Sequence, residues 1–223
     1  MMRKQAYQAD GDCPVLADTA MKREILTDRK ITMQLNLVLS AALVFCCAQA
    51  GNADVVTGKA AKKALFAGNA VAVQVMKQSF LVDNQAEILG SVAGQQPYYG
   101  AIAVSPKEGL MSEATVAAAN YHSVEAASVA ALAGCDAVRK GDAPCVIVAS
   151  IRPKGWEARS IQMSADATAA FRKDYGGKGA ALAVSAATGT WGMAKGENAG
   201  QAAVAACAAK LVAANDCTVL IAN

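Results

Sequence analysis

Apolar residues alternate with small or polar ones over Ala70–Met76 (AVAVQVM), Gly100–Ser105 (GAIAVS), Cys145–Ile151 (CVIVASI), Ala181–Ser185 (ALAVS) and Cys217–Asn223 (CTVLIAN), and this period of two predicts strands. Ala-rich runs that end at Cys135 (ASVAALAGC) and Cys207 (GQAAVAAC) predict helices. Val55–Phe66 (VVTGKAAKKALF) reads as a short strand or turn followed by a basic helix, and Asp83–Ala93 (DNQAEILGSVA) as a helix capped by Asp83. Trp156–Met163 (WEARSIQM) alternates and predicts a further strand. Ser164 then caps a helix running through Phe171, with Arg172 and Lys173 at its end, and Asn198 with Gln201 predicts a capping box before the last helix. Leu110–Tyr121 has helix propensity, but its counterpart after Gly189 is short, so both stretches are read as the returning arms of hairpins. The sum is an α+β chain with a largely antiparallel sheet and helices on one face.

The same order of signals occurs twice. GAIAVSPKEG (Gly100–Gly109) and ALAVSAATG (Ala181–Gly189) each run from apolar alternation to a serine, three residues and a glycine, which suits a strand entering a tight turn where glycine supplies positive φ. Each is followed by an Ala-rich helix ending in cysteine, a loop holding turn formers (Gly141, Asp142 and Pro144; Asn215 and Asp216), a second cysteine ten positions on and a β-type run. The expected unit is strand, hairpin, helix, disulfide loop, strand, used twice, with the second copy eight residues shorter between hairpin and helix.

The N-terminal stretch belongs to another class of segment. Leu35–Phe45 (LNLVLSAALVF) is an uncharged apolar run preceded by Lys22, Arg23, Arg29 and Lys30 and followed by Ala48-Gln49-Ala50. A membrane-spanning helix needs roughly 20 apolar residues and a signal-peptide core about 7 to 15, so the run predicts a cleaved export signal, cut after Ala50 or Ala53. Phe45 before Cys46 does not suit a lipoprotein signal, and Met21, followed by Lys22 and Arg23, suits a translation start better than Met1, with Met33 a further possibility. The chain therefore divides into an extension and signal peptide (1–53), an α/β segment (54–97) and the twofold α+β region (98–223). Localisation in the periplasm or outside the cell follows.

Export changes the meaning of the cysteines. Of seven, Cys13, Cys46 and Cys47 fall in the leader, leaving Cys135, Cys145, Cys207 and Cys217. In an oxidising compartment an even count reads as disulfides, and of three possible pairings Cys135–Cys145 and Cys207–Cys217 each tie a helix end to the strand that follows. A C-x-x-C redox motif is missing, and a four-thiolate zinc site would need free thiolates.

Composition narrows function more than it assigns it. The 223 residues are 54% apolar but only 5% aromatic, and the formal charge is +3 with no basic block, so the footprint of a nucleic-acid binder is missing. His122 is the one histidine, which weakens imidazole metal cages and histidine-based triads. A small hydrolase using His122 with Glu113, Glu125 and Ser105 or Ser123 is the enzymatic alternative, although neither serine sits in a G-x-S-x-G elbow. Gly176–Gly179 (GGKG) and Lys195–Asn198 (KGEN) carry only a faint phosphate-loop flavour, because Gly179 stands where a Walker motif needs Ser or Thr.

Candidate binding residues gather between the two units: Arg152, Lys154, Trp156 and Arg159, with Trp191 after the second turn. A tryptophan flanked by cations recognises an anion or an acidic partner through stacking and cation–π contact; the competing reading is a charged hairpin tip with Trp156 packed over a sheet edge. Trp191 reads more simply as core or edge packing, and Tyr98 and Tyr99 as a strand start with one ring in and one out.

The motif GAIAVS-x3-G, the Ala-rich helix ending in cysteine, the ten-residue spacing and the Trp191-Gly192 pair of the second copy resemble a family of small secreted bacterial domains of unknown function, over about Tyr98–Asn223. QQPYYGAIAVSPKEGLMSEATVAAANYH and IRPKGWEARSIQMSADATAAF are similar to short exported alphaproteobacterial proteins, some labelled 5-aminolevulinic acid synthase. The resemblance implies fold and export, and the label implies a pyridoxal-phosphate enzyme. That chemistry takes a Schiff-base lysine, an acidic partner for the pyridine nitrogen, a phosphate cradle and about twice this length, a set the residues here do not match, so no cofactor is expected. The expectation is an exported, non-catalytic binding or interaction module for an unknown protein or small anionic ligand.

Overall fold

The computed structural model describes residues 54–66 and 68–223; the expected signal peptide, the alternative starts and the three leader cysteines lie outside the described residues. In chain order the elements are α1 (Gly58–Ala64), β1 (Val71–Val75), α2 (Asp83–Ala93), β2 (Gly100–Val104), β3 (Thr115–Ala118), α3 (Val124–Val138), β4 (Val146–Pro153), α4 (Ala165–Asp174), β5 (Ala180–Val184), β6 (Trp191–Lys195), α5 (Ala199–Ala208) and β7 (Thr218–Ala222). The α+β, antiparallel reading holds. The strands divide between two sheets, β1-β4-β2-β3 and β6-β5-β7, and all the named pairings are antiparallel.

The two central strands have the same surroundings. β2 pairs with β3 and β4, β5 pairs with β6 and β7, and each ladder to the last strand shifts register at the third residue, between Ile102 and Ala103 and between Leu182 and Ala183. Every residue of β2 and β5 is buried. Such strands have both faces covered, and the faces are chemically unlike. Ala101 and Ala103 pack on α3 beside Cys135, and Ala181 and Ala183 pack on α5 beside Cys207. On the other side Ile102 and Val104 meet α2 through Leu89 and Ala93, while Leu182 and Val184 meet α1 and α4 through Ala61, Ala167 and Phe171. Helices thus lie on both faces where the sequence pattern suggests one. The reason is the all-apolar character of GAIAV and AALAV: alanines let one helix approach closely, and the branched residues on the reverse demand a second cover.

Segment 54–97 contributes to both sheets. β1 forms one edge of the first sheet, and Val56 adds a parallel bridge to Ile221 on β7, exchanging main-chain hydrogen bonds with Leu220 and Ala222 at 3.0 Å. At Gly109 and Gly189 φ is +75° and +72°, and both N–H groups close the turn onto the carbonyl of the serine four residues earlier. Local expectations fail in three places. Trp156–Met163 is not a strand: Ile161 and Met163 plug the core under the second sheet, so their alternation serves burial without a ladder. Asp83 begins its helix, while the cap position is Val82, whose N–H donates to Gln85 Oε1 at 3.4 Å. Asn198 adopts a left-handed conformation, φ 59°, and makes no side-chain cap hydrogen bond. Ser164 does cap α4, accepting from Ala167 N at 3.3 Å.

Candidate functional site

The cysteines are placed by the ends of α3 and α5. Cys135 is joined to Cys145 and Cys207 to Cys217, with Cα–Cα distances of 6.1 Å in both. Cys135 and Cys207 are fully buried against the alanine faces. Their role is to fix each helix end to the strand that follows.

His122 lies where the two sheets' connections meet. It is 6% exposed, its Nδ1 accepts the Ser164 N–H at 3.0 Å, and its Nε2 lies 3.0 Å from the Thr190 carbonyl. A ring that accepts at Nδ1 and faces a carbonyl at Nε2 is the neutral tautomer protonated at Nε2. Burial pushes its pKa down, against the smaller opposing effects of the Thr190 carbonyl and Asp216. Next to it, Asn120 donates to Asp166 Oδ2 at 2.8 Å and accepts the Asp166 N–H at 3.1 Å. His122 is therefore a cross-tie between main chains. Of the groups named with it for hydrolysis, Ser123 caps α3 by accepting from Ala126 N and Glu113 faces Lys140 at 3.7 Å, while the buried Ser105 hydroxyl has no hydrogen-bond partner among the described residues.

The inter-unit cations separate into different roles. The Pro153–Trp156 turn is closed by Trp156 N–H on the Pro153 carbonyl at 3.1 Å and passes through Gly155 at φ +70°. It folds Trp156 back under Arg152, whose guanidinium carbon sits 4.4 Å from the ring centroid. Lys154 is exposed at the tip. Arg159 lies 3.6 Å over Phe66, donates to the Ala64 carbonyl at 2.9 Å and pairs with Glu157 at 3.0 Å, so it anchors the irregular segment to the end of α1. Trp191 belongs to a separate place on β6, under Lys210 Nζ at 3.5 Å.

Tyr99 completes the Arg152–Trp156 cluster, and the residue pattern did not point to it. Both Tyr98 and Tyr99 are 1% exposed, correcting the one-in, one-out expectation, because they precede β2 and pack with Val124 and Ala165 at the junction of the two halves. Burial pushes the Tyr99 hydroxyl up to about 12. The Trp156 indole N–H lies beside that hydroxyl without completing a hydrogen bond, and Tyr99 Oη, Trp156 Nε1 and Arg152 Nε are all buried with no partner among the described residues. Trp156 Nε1 and Arg152 Nε can only donate, whereas the Tyr99 hydroxyl both donates and accepts. Leaving a buried donor unmade costs about 1–3 kcal/mol, so the cluster has an unfilled demand for acceptor oxygen.

Among the described residues no group of His, Cys, Asp and Glu is arranged to hold a metal ion, and no helix is long and apolar enough to cross a membrane. Comparison with protein-family models, curated proteins and solved structures finds no match to this chain.

Proposed function

We propose that the chain is exported to the periplasm or beyond and acts there as a non-catalytic binding module, with the Arg152–Trp156–Tyr99 cluster as its contact site for an acidic group. The observation that carries this reading is the gathering in one cluster of three buried polar groups without a hydrogen-bond partner, two of them donors only and one of these on a cation that has no carboxylate partner among the described residues. An anionic oxygen suits such donors better than a neutral one, since hydrogen bonds between charged partners are roughly twice as strong. Two disulfides support an oxidising compartment, where such bonds persist. The common order of hairpin, helix, disulfide loop and strand around β2 and β5 supports an internal duplication, and with it the kinship to small secreted domains.

The binding part is tested by titrating the protein with a short capped glutamate peptide and following the two indole N–H signals by NMR. Saturable movement at Trp156 with Trp191 unmoved, lost in Tyr99→Phe and Arg152→Met, is the expected result. An unmoved Trp156 signal overturns it. Export is tested separately: the protein recovered from periplasm should begin at Gly51 or Asp54, and recovery from cytoplasm with Leu35–Phe45 intact would contradict it.

A further inference from the structure

A second site lies on the far side of the core, where α1, the loop after α4 and the chain end enclose a cavity of about 340 Å³. Its lining includes Lys59, Lys62, Tyr175, Gly176, Gly177 and Asn223, and no side-chain carboxylate. Several polar groups at its wall are already engaged. Asn223 Oδ1 takes the Gly58 N–H at 2.9 Å, the Asn223 main-chain oxygen takes the Gly179 N–H at 3.3 Å, and the Tyr175 hydroxyl is spent donating to the Ala180 carbonyl at 2.9 Å. Two lysines, Lys59 and Lys62, belong to the lining. Lys195, from the end of β6, is not part of the lining but lies against it: its Nζ is 2.8 Å from where a Cβ on Gly176 would stand.

The lysines of α1 carry their charge without a compensating carboxylate. Lys59, Lys62 and Lys63 share one exposed side of a seven-residue helix, and like charges three and four residues apart destabilise a helix. None of the three, nor Lys195, has a carboxylate within ion-pair distance among the described residues. The loop is also bare at Gly177. Gly177 has φ +80°, and a Cβ added there would meet nothing within 4 Å, so main chain and ligand can approach closely.

We propose that this cavity binds a phosphate-class anion, held by Lys59, Lys62 and Lys195 against the Gly176–Gly177 main chain. This goes beyond the acidic-group site at Trp156 and does not depend on it. Two lysines lining a space of this size, with the Lys195 ammonium beside Gly176 at its wall, suit a compact, multiply charged oxyanion, where lysine acts as a point charge. The phosphate belongs either to a free phosphate compound or to the headgroup of an anionic lipid.

The test uses the whole disulfide-bonded protein. Inorganic phosphate is titrated at constant ionic strength against chloride while the Gly176 and Gly177 amide signals are followed. Saturable shifts with phosphate only are expected, weakened about tenfold for each lysine removed in Lys59→Gln and Lys62→Gln and unchanged in Lys77→Gln, an exposed lysine outside both sites. A second arm measures cosedimentation with phosphatidylcholine vesicles with and without phosphatidylglycerol. Lysine-dependent capture by the anionic vesicles assigns the headgroup; phosphate shifts without capture assign a free compound. Shifts that match the chloride control, or that survive both lysine substitutions, overturn the proposal when vesicle capture is also independent of the lysines. The substituted residues are exposed, and retention of the remaining amide spectrum confirms that the fold is intact.

Discussion

His122 reaches across 68 positions of sequence to the carbonyl of Thr190, at 3.0 Å, while its other ring nitrogen accepts the N–H of Ser164. One neutral imidazole thus joins the segment before α3, the β5–β6 turn and the start of α4. Protonation removes the acceptor at Nδ1, so the tie holds only while the ring is neutral.

A pH dependence follows with a definite sign. The folded-state pKa lies below the ordinary 6.5, because burial disfavours the cation. Between those two values the unfolded chain binds more protons than the folded one, so stability is fully present above 6.5 and is lost as pH falls toward the lowered value. Urea midpoints at pH 8, 6.5 and 5 should show this decline, and H122Q should flatten it while costing about 1–3 kcal/mol at pH 8 through the orphaned Ser164 N–H. Equal slopes for the two proteins would remove His122 as the cause.

A second prediction concerns the turn and the disulfide loop, which are latched in both halves with the carboxylate on opposite sides. In the second half Asp216, from the loop, accepts from the Ser185 hydroxyl and from Ala187 N–H at 2.9 Å. In the first half Glu108, from the turn, accepts from Lys140 N–H at 3.0 Å in the loop. Burial pushes the Asp216 carboxyl up, but the Ser185 hydroxyl and the main-chain N–H groups outweigh it and hold the carboxyl below its ordinary range. Asp216→Ala should cost about 1 kcal/mol, and a double-mutant cycle with Ser185→Ala should show coupling of similar size. Additive losses in thermal unfolding would show that the two groups do not act together.

Removing either disulfide should destabilise the protein by about 2.7 kcal/mol, the chain-entropy value for a loop of roughly ten residues. Paired Cys135→Ala/Cys145→Ala and Cys207→Ala/Cys217→Ala variants test this by denaturant unfolding. The two losses should add, since each bridge ties a different helix to a different strand. A loss confined to one pair would show that only that bridge restrains its half.

Much of this was legible in the chain because it is local. Turn glycines, Ser164 as a cap and the cysteine pairs depend on neighbours within a few positions. What sequence could not reach is set by distant packing. Trp156–Met163 alternates like a strand, yet Ile161 and Met163 fill the space beneath β5, which exists only once α1 and α4 have docked. The role of His122 as a cross-tie is invisible in the sequence because its ring partners are main-chain groups, which no residue pattern reveals. Tyr99 carried no signal for the same reason: its burial arises at the junction of two halves that the sequence presents one after the other.

The last prediction comes from comparing how the two helices sit on their hairpins. Val116 on β3 stands opposite Ala103, and Gly192 on β6 stands opposite Ala183, so the two occupy matching places. In the first half the helix yields: Gly134, just before Cys135, faces Val116, and a Cβ there would lie 2.9 Å from Val116 Cγ1. In the second half the strand yields. A Cβ on Gly192 would lie 2.2 Å from the Ala203 carbonyl oxygen and 2.3 Å from Cys207 N, with Ala206, just before Cys207, alongside at 2.8 Å. The small residue has changed sides, and the main chains of α5 and β6 are closer for it. Gly192→Val should therefore destabilise by about 3 kcal/mol or more, the upper range for overpacking. Ala206→Gly alone should cost about 1 kcal/mol as a glycine in a helix. In the Gly192→Val background the same change should recover part of the loss, because it recreates the arrangement of the first half. Thermal unfolding of the four proteins decides it, and strictly additive losses would mean that the exchange of small residues between helix and strand does not set how closely each helix docks.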